Sequence, residues 1–441
     1  MSALNETLDQ TGRGQMGAEG ATPGVVWVLD AGKPAHRAFA VPKAGLEIGR
    51  GSPGGVLEAD DRVSRRHVTV SYAKGCWAVH DHGSRNGTFV NGSKIDGYVD
   101  FEGPVLIRLG RSLIWAVNDV SPYLDAPSPV SDGETVTGGL LRQVWQEIAV
   151  ASRAGDTLLI RGESGAGKEL AARRLHELCF GSASSAPFIA VNCAAIPEGL
   201  AERLLFGAKK GAYSGATSDA TGYIAAADRG TLFLDEVAEL DPLVQAKLLR
   251  VLETREVLPL GDARPRRVQI RVCAASHQNL RDAVGAGRFR QDLYYRVGRP
   301  EVVLPPLRER IDELPWLIQA ELTRSAPARV PGVGFVEACA LRHWPGNVRE
   351  LLREVRLAAH APLEAGSNTL DAQHLSPDAG RVITATSGDG DSPKRSVSAT
   401  SDEQIEQALS EHQGNVTRAA QALGLHRNQL RRWLEKRTPK V

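Results

Sequence analysis

The sequence predicts three fold classes in one multidomain chain: an all-β sandwich, an α/β P-loop domain with an α-helical lid, and a small all-α helix-turn-helix. Three observations predict it. Residues 23–120 consist of short strand-like runs separated by Gly, Pro, Asn and Asp. From residue 139, apolar strand runs alternate with helical patterns, and one of them enters a Gly-rich loop ending in Gly167-Lys168. Residues 401–441 are helical again, with a basic end.

Length and composition agree with several cores. At 441 residues the chain is about three times a typical domain of roughly 150 residues. Hydrophobic residues make up 42%, enough to fill more than one interior. Lys and Arg number 53 against 52 Asp and Glu, which excludes a wholly basic nucleic-acid coat and an acidic disordered chain, though not one basic domain. The five cysteines are scattered, without a CxxC pair or zinc spacing, and suit a reducing cytosol. No run of about 18 apolar residues suggests a membrane span. A cytoplasmic protein without membrane contact is expected.

Each element has its own justification. Residues 1–22 are polar and Gly-rich and read as a flexible tail. VVWVL, HVTVSY, CWAVHD, GTFV and VLIRLG are the sandwich strands of residues 23–120. Residues 121–138 are rich in Pro, Ser and Gly and read as a linker. TLLI, PFIAV, TLFLDE and IRVCAAS, with helical text between them, predict a parallel sheet in a domain spanning 139–375 that turns mainly helical after Leu307. Residues 376–400 are too polar and small to pack and read as a second linker.

The strand TLLI runs into RGESGAGKE. Such a strand–loop–helix aims successive backbone N–H groups and a helix N-terminus at phosphate oxygens. The predicted nucleotide-binding residues are Gly162, Glu163, Ser164, Gly165, Ala166, Gly167, Lys168 and Glu169, with Lys168 on the β- and γ-phosphates. A plain Gly-rich turn would not require this context. TLFLDE delivers Asp235 and Glu236 at a strand end. Asp235 is suited to holding Mg2+ through water and Glu236 to polarising the attacking water, so ATP and Mg2+ are the expected cofactors.

With these residues in view, the segment from about 140 to 360 resembles the AAA+ ATPase domain of bacterial enhancer-binding proteins, the activators of sigma-54 RNA polymerase. GESGAGKE is close to that family's GESGTGKE, so Glu169 fits the family although the generic motif has Ser or Thr there. The resemblance implies further roles. VNCAAI places Asn192 where the family restrains its catalytic Glu. GAYSGA, with Gly211, Ala212, Tyr213, Ser214, Gly215 and Ala216, is similar to the GAFTGA loop that contacts sigma-54. Ser276 and His277 occupy the sensor I region in place of the commoner Thr-Asn. GRFRQDLYYRV carries the arginine fingers supplied to a neighbouring subunit, at Arg290 and Arg296. LPPLRER (304–310) and WPGNVREL (344–351) also match, and Arg349 takes the sensor II position. A finger acting in trans implies a homo-oligomer, by analogy a hexameric ring.

IGR (48–50), SRRH (64–67) and DHGSRNGTFVNG (81–92) resemble the principal motifs of a forkhead-associated (FHA) domain, a reader of phosphothreonine peptides. The resemblance implies phosphate contacts from Arg50, Ser64, Arg65, Ser84 and Arg85, and a peptide-backbone contact from Asn86. His67 reads as structural, bridging the loop. Near the C-terminus, GNVTRAAQALGLHRNQLRRWLEKR has apolar residues at helical spacing around Gly424. It resembles the Fis-like DNA-binding domain. His426, Arg427, Asn428 and Gln429 would lead a helix into the major groove, and Arg431 and Arg432 would meet phosphates.

The reading that follows is a sigma-54-dependent activator. It binds enhancer DNA, hydrolyses ATP to remodel the closed complex of sigma-54 RNA polymerase, and is regulated by a phosphothreonine-bearing protein from a Ser/Thr kinase pathway. Two rivals stand beside it: a non-transcriptional AAA+ remodeller recruited by phosphopeptides, and a DNA-binding scaffold without turnover.

Overall fold

A computed structural model describes residues 21–50, 60–131, 135–197, 199–212, 217–361 and 367–382. Ten strands build the N-terminal sandwich: β1 (Gly24–Asp30), β2 (Lys33–Ala40), β3 (Leu46–Ile48), β4 (Val68–Ala73), β5 (Cys76–Asp81), β6 (Thr88–Val90), β7 (Ser93–Lys94), β8 (Tyr98–Glu102), β9 (Val105–Leu109) and β10 (Ser112–Val117). They form a six-stranded sheet, β2-β1-β10-β9-β6-β7, facing a four-stranded sheet, β3-β4-β5-β8. Strand alternation fills the space between them: Val25 and Trp27 of β1, Ile114 and Ala116 of β10, and Val68, Val70, Trp77 and Val79 of the facing sheet share one core.

The segment expected as a linker, described at 121–131 and 135–138, is partly packed. Tyr123 is buried, and the short strands β11 (Val130–Ser131) and β12 (Val136–Thr137) pair antiparallel. Tyr123 and Val136 bury apolar side chains in a core that composition alone did not reveal. The segment straps the sandwich to α1 (Gly139–Ala154).

The central sheet is parallel throughout. Its strands are β13 (Thr157–Arg161), β14 (Phe188–Asn192), β17 (Thr231–Asp235), β20 (Arg271–Ser276) and β21 (Glu301–Val303), in the order β14-β17-β20-β13-β21. Between them lie the short pairs β15 (Gly207–Ala208) with β16 (Ala220–Thr221) and β18 (Glu256–Val257) with β19 (Arg266–Arg267). Helices cover both faces, so the strands read as continuous apolar runs. Leu158, Ile160, Phe233 and Cys273 turn towards α1 and α2 (Lys168–Phe180). Leu159, Leu232, Leu234 and Val272 turn towards α5 (Pro242–Thr254) and α7 (Gln291–Val297). The helices α3 (Ala201–Phe206), α4 (Tyr223–Ala226) and α6 (Leu280–Gly285) are short connectors.

The lid consists of α8 (Leu314–Ser325), α9 (Val333–Ala340) and α10 (Asn347–Ala359). Its end runs past residue 375 into the expected second linker: Ala379 is buried, and Arg342 donates to the Ser376 and Ala379 carbonyls. Residues 383–400 lie outside the described residues.

The sandwich, the parallel sheet and the lid belong to one unit ending at Val382. The outer face of the six-stranded sheet is not solvated. Val26 and Val28 of β1, Leu106 of β9, and Leu113, Trp115 and Val117 of β10 share a core with Leu314, Leu317, Ile318 and Leu322 of α8 and Phe335, Val336 and Cys339 of α9. Every residue of β10 is therefore buried, and so are the first six of β1. Arg108 of β9 lies over the Phe89 ring at 3.7 Å and pairs with Glu337 of α9 at 2.7 Å.

Candidate functional site

The site lies where the carboxyl ends of the parallel strands open, as expected for an α/β sheet. The P-loop leaves β13, Asn192 ends β14, Asp235 ends β17 and Ser276 ends β20. The first three of these ends meet α10 of the lid around a cavity of about 460 Å³. Its polar lining includes Ser164, Lys168, Glu169, Asn192, Asp235, Glu236, Arg310, Glu313 and Arg349. Its apolar lining includes Val136, Leu141, Trp145, Leu317, Val348 and Leu352. Apolar surface and a cradle for anions thus share one cavity.

The loop is locked against the lid. A Cβ at Gly165 would collide with the Gly346 carbonyl, so only glycine lets the two turns touch there. Asn347, fully buried, accepts from the Leu307 N–H at 2.8 Å and donates to Glu163 Oε2 at 3.1 Å and the Ser164 carbonyl at 3.0 Å. Arg308 donates to both Glu163 oxygens, at 2.9 and 2.7 Å. The bonds from Arg308, joined by that from Asn347, hold the Glu163 carboxyl below its ordinary value despite partial burial. Arg310 donates to the Ala166 carbonyl and pairs with buried Glu313. Glu163 therefore braces the loop through its side chain. Glu169 points elsewhere and pairs with Arg173 one turn on, at 2.7 Å.

Lys168 is almost buried and donates to the Gly162 carbonyl at 3.2 Å and to Glu236 Oε1 at 2.9 Å. Glu236 sits at φ 52°, in the left-handed region, where its backbone turns sharply off β17. Its Oε2 accepts from the His277 ring Nδ1 at 2.6 Å and from the His277 backbone N–H at 3.2 Å. Burial pushes the Glu236 carboxyl up, but the bonds from Lys168 and His277 outweigh it and hold the carboxyl below its ordinary value. Burial also raises Asp235, against the pull of Lys168, and the neighbouring charge of Glu236 adds to that rise.

Asn192 lines the same cavity as Glu236, and its Oδ1 caps the turn after β14 by accepting from the Ala194 N–H at 3.0 Å. The side chain that bonds Glu236 Oε2 in this structure is His277. The sequence singled out His277 only as a departure from Thr-Asn, and that departure was the available signal.

Arg290 and Arg296 are exposed on α7 and its N-terminal flank, and neither lines the cavity. Arg290 pairs with Asp292 at 2.7 Å, and Arg296 donates to the Leu252 carbonyl at 3.0 Å. Gly211 and Ala212 stand in the excursion between β15 and β16, tied at its base by a Lys209–Asp219 pair at 2.6 Å. Tyr213, Ser214, Gly215 and Ala216 lie outside the described residues. So do His426, Arg427, Asn428, Gln429, Arg431 and Arg432.

In the sandwich, the loops before β4 and before β6 come together. Arg50 is exposed, with its Nε donating to the Val63 carbonyl at 2.6 Å. Ser64 Oγ accepts from the Arg85 N–H at 3.2 Å, and Asn86 Nδ2 donates to the Arg62 carbonyl at 2.6 Å. Arg65 and Arg85 are exposed beside them. Ser84 is turned inward, with its hydroxyl donating to Asp81 Oδ2 at 2.6 Å. His67 is fully buried between the Ser64 N–H and the Gly87 carbonyl, and burial pushes its ring below the ordinary value. Arg50, Arg65 and Arg85 are thus exposed on the loops that carry Ser64 and Asn86.

Three family models match the chain: Sigma-54 interaction domain over residues 136–302, FHA domain over 46–114, and Bacterial regulatory protein, Fis family over 400–436. The transcriptional regulatory protein ZraR of Klebsiella oxytoca is 38% identical over 349 residues, covering 75% of this chain and 74% of that protein. HoxA of Bradyrhizobium diazoefficiens, a hydrogenase transcriptional regulatory protein, is 41% identical over 307 residues, covering 66% of this chain and 61% of its own. The crystal structure of NtrX from Brucella abortus superposes with a TM-score of 0.50 at 26% identity, covering 70% of this chain and 68% of that one. The chain spans between about one third and two thirds of the length of several other curated relatives it matches.

Proposed function

This chain belongs to the sigma-54-dependent transcriptional regulators, and from that premise we propose that it hydrolyses ATP to remodel the closed complex of sigma-54 RNA polymerase while bound to enhancer DNA. The observation that carries the reading is the convergence of Lys168, Asp235, Glu236 and Arg349 on one cavity that also has apolar lining. Phosphoryl transfer to water needs positioning and charge stabilisation more than covalent help. Lys168 exchanges Glu236 for the β- and γ-phosphates. Glu236 orients the water that attacks the γ-phosphorus, the bond to the β,γ-bridging oxygen breaks, and ADP and phosphate leave. Arg349, carried by the lid, reports the phosphate state to α10.

Asp235 supplies one carboxylate beside this cradle. Among the described residues no cluster of three or more His, Cys, Asp or Glu could hold a metal. That donor set fits Mg2+ gripped mainly by phosphate oxygens and water, where it would neutralise charge on the phosphates. Arg290 and Arg296 project outside their own cavity, which suits delivery to a neighbour in a ring. The β15–β16 excursion would carry the sigma-54 contact, and residues 401–441 would hold the enhancer.

The exposed Arg50, Arg65 and Arg85, on the loops of Ser64 and Asn86, suit a phosphothreonine peptide, with Asn86 on its backbone. Because the sandwich shares a core with α8 and α9, peptide capture acts on the lid. A Ser/Thr kinase that marks a partner would thereby tune turnover.

The test is ATP hydrolysis against protein concentration, with sigma-54 capture in the presence of an ATP transition-state mimic. Turnover that climbs steeply with concentration, together with capture, supports the reading. Turnover without capture gives first place to a remodeller with another client, for which the Tyr213-Ser214 variation from Phe-Thr is the opening.

A further inference from the structure

One helix of the lid lies between the loop that carries Asn86 and the P-loop. On the sandwich side, Asn86 stands two residues before β6, and Phe89 of β6 is the register partner of Arg108 of β9. The Arg108 guanidinium sits 3.7 Å from the Phe89 ring centre and donates through Nε to Glu337 Oε2 at 2.7 Å. Glu337 belongs to α9 and is buried, and its Oε1 has no partner among the described residues. A Cβ placed on Gly92, in the turn from β6 to β7, would stand 3.1 Å from Leu341 Cδ1 at the end of α9. The hairpin that follows the Asn86 loop thus reaches α9 at two points.

The same helix leads to the nucleotide cradle. Trp344, just past α9, is fully buried and donates through its ring N–H to the Cys339 carbonyl at 2.7 Å. Its φ is 52°, and so bulky a residue in left-handed backbone marks a turn held in place by its surroundings. Two residues on, the Gly346 carbonyl lies against Gly165, and Asn347 holds Glu163 and the Ser164 carbonyl. Packed or hydrogen-bonded contacts therefore run from β6 through Arg108, Glu337 and the Trp344 turn to the P-loop.

We propose that the Arg108–Glu337 pair is the positioning contact through which the loop at Asn86 and the P-loop sense each other's ligand. The inference rests on the ATPase and phosphothreonine readings and adds the route between them. With Oε1 open, the Glu337 carboxylate hangs on Arg108. A buried charge left without its partner is strongly unfavourable, so a shift of β6 that moves Arg108 carries α9 with it. Such coupling is reciprocal: peptide changes nucleotide affinity by the same factor as nucleotide changes peptide affinity.

The experiment compares full-length wild type with the double variant Arg108→Met/Glu337→Met, which removes both charges and strands neither in the seam. The probes are a non-hydrolysable ATP analogue with Mg2+ and a phosphothreonine peptide selected from a library by binding to the full chain. In wild type, saturating peptide should change analogue affinity about fivefold or more, and saturating analogue should change peptide affinity by the same factor. In the double variant that factor should vanish, with each affinity measured alone within about twofold of wild type. A seam that merely holds the sandwich in place would lower the thermal midpoint and leave the factor intact. Coupling that survives in the double variant, or that is absent from wild type, overturns the inference. The route is also read without peptide: analogue should slow amide hydrogen exchange in residues 86–94 of wild type and not of the double variant. Unchanged exchange there in wild type overturns the inference as well. A library that yields no binding peptide sinks the phosphothreonine reading, and the exchange result then decides the route. A chain that binds no analogue sinks the ATPase reading and this inference with it.

Discussion

Asn347 shows how one side chain can join two parts of a site. Its amide satisfies the Leu307 N–H, Glu163 and the Ser164 carbonyl at once, in a place without solvent. Removing it strands a buried donor and a buried carbonyl, each worth about 1–3 kcal/mol. Asn347→Ala should therefore lower unfolding free energy by about 2–4 kcal/mol in a urea titration. It should also weaken nucleotide binding, because Glu163 keeps only Arg308. Arg50 is the corresponding residue of the sandwich. Its guanidinium is exposed and spends only Nε on the fold, so Arg50→Ala should leave the thermal midpoint nearly unchanged. Binding of a phosphothreonine peptide, followed by calorimetric titration, should fall at least tenfold.

At the scale of an element, α1 explains an unusual entry. The helix begins at Gly139 after Gly138, without a side-chain cap. Its first N–H groups are satisfied from the lid side: Gly138 donates to Glu313 Oε1 and Gly139 to Asp312 Oδ2, both at 2.9 Å. Carboxylates at a helix N-terminus are favourable partners for its dipole. A Cβ at Gly138 would strike the Asp312 carboxylate, so Gly138→Ala should cost about 1–3 kcal/mol and loosen the cavity that α1 lines. The same contact carries a pH dependence. Burial, opposed by Arg310 and reinforced by the charge of Asp312, pushes Glu313 from its ordinary 4.5 to about 7. The folded state then holds a proton that the unfolded chain has released. The stability this contributes is present below about 4.5 and lost as pH rises through about 7. Glu313→Gln should flatten that part of the decline in thermal midpoint, seen as the difference between variant and wild-type curves over this range.

At the scale of the molecule, the joined core of sandwich and lid is the main fact. The outer face of the six-stranded sheet is apolar and buries Leu113, Trp115 and Val117 against α8 and α9. The Arg108–Glu337 pair closes the seam, with Glu337 only 6% exposed. The sandwich and the lid should therefore unfold in one cooperative transition. Trp115→Asp, which places a charge in that core, should split the transition into two in a calorimetric scan and disconnect ATP turnover from phosphopeptide. A single transition that persists in Trp115→Asp would mean that the seam contributes little.

The sequence by itself determined much of this protein. Motif spacing located the P-loop, the strand that ends in Asp235 and Glu236, and the loops around Arg50, Ser64 and Asn86, because each depends on local geometry: a turn, a strand end, a helix start. The family models over residues 136–302 and 46–114 cover these motifs, and a third covers the helix-turn-helix text at 400–436. Short apolar runs also located five strands of the sandwich, β1, β4, β5, β6 and β9, and four of the central sheet, β13, β14, β17 and β20. What only the tertiary structure decided is who meets whom. Residues 121–138 read as a linker because Pro, Ser and Gly dominate them, yet Tyr123 and Val136 are buried by partners nearly two hundred residues away. β1 and β10 are buried on both faces, and the cover of the second face comes from α8 and α9, far away in sequence. His277 became the partner of Glu236 because β20 and β17 lie side by side in the sheet, a neighbour relation set by strand order and carried by no stretch of sequence alone.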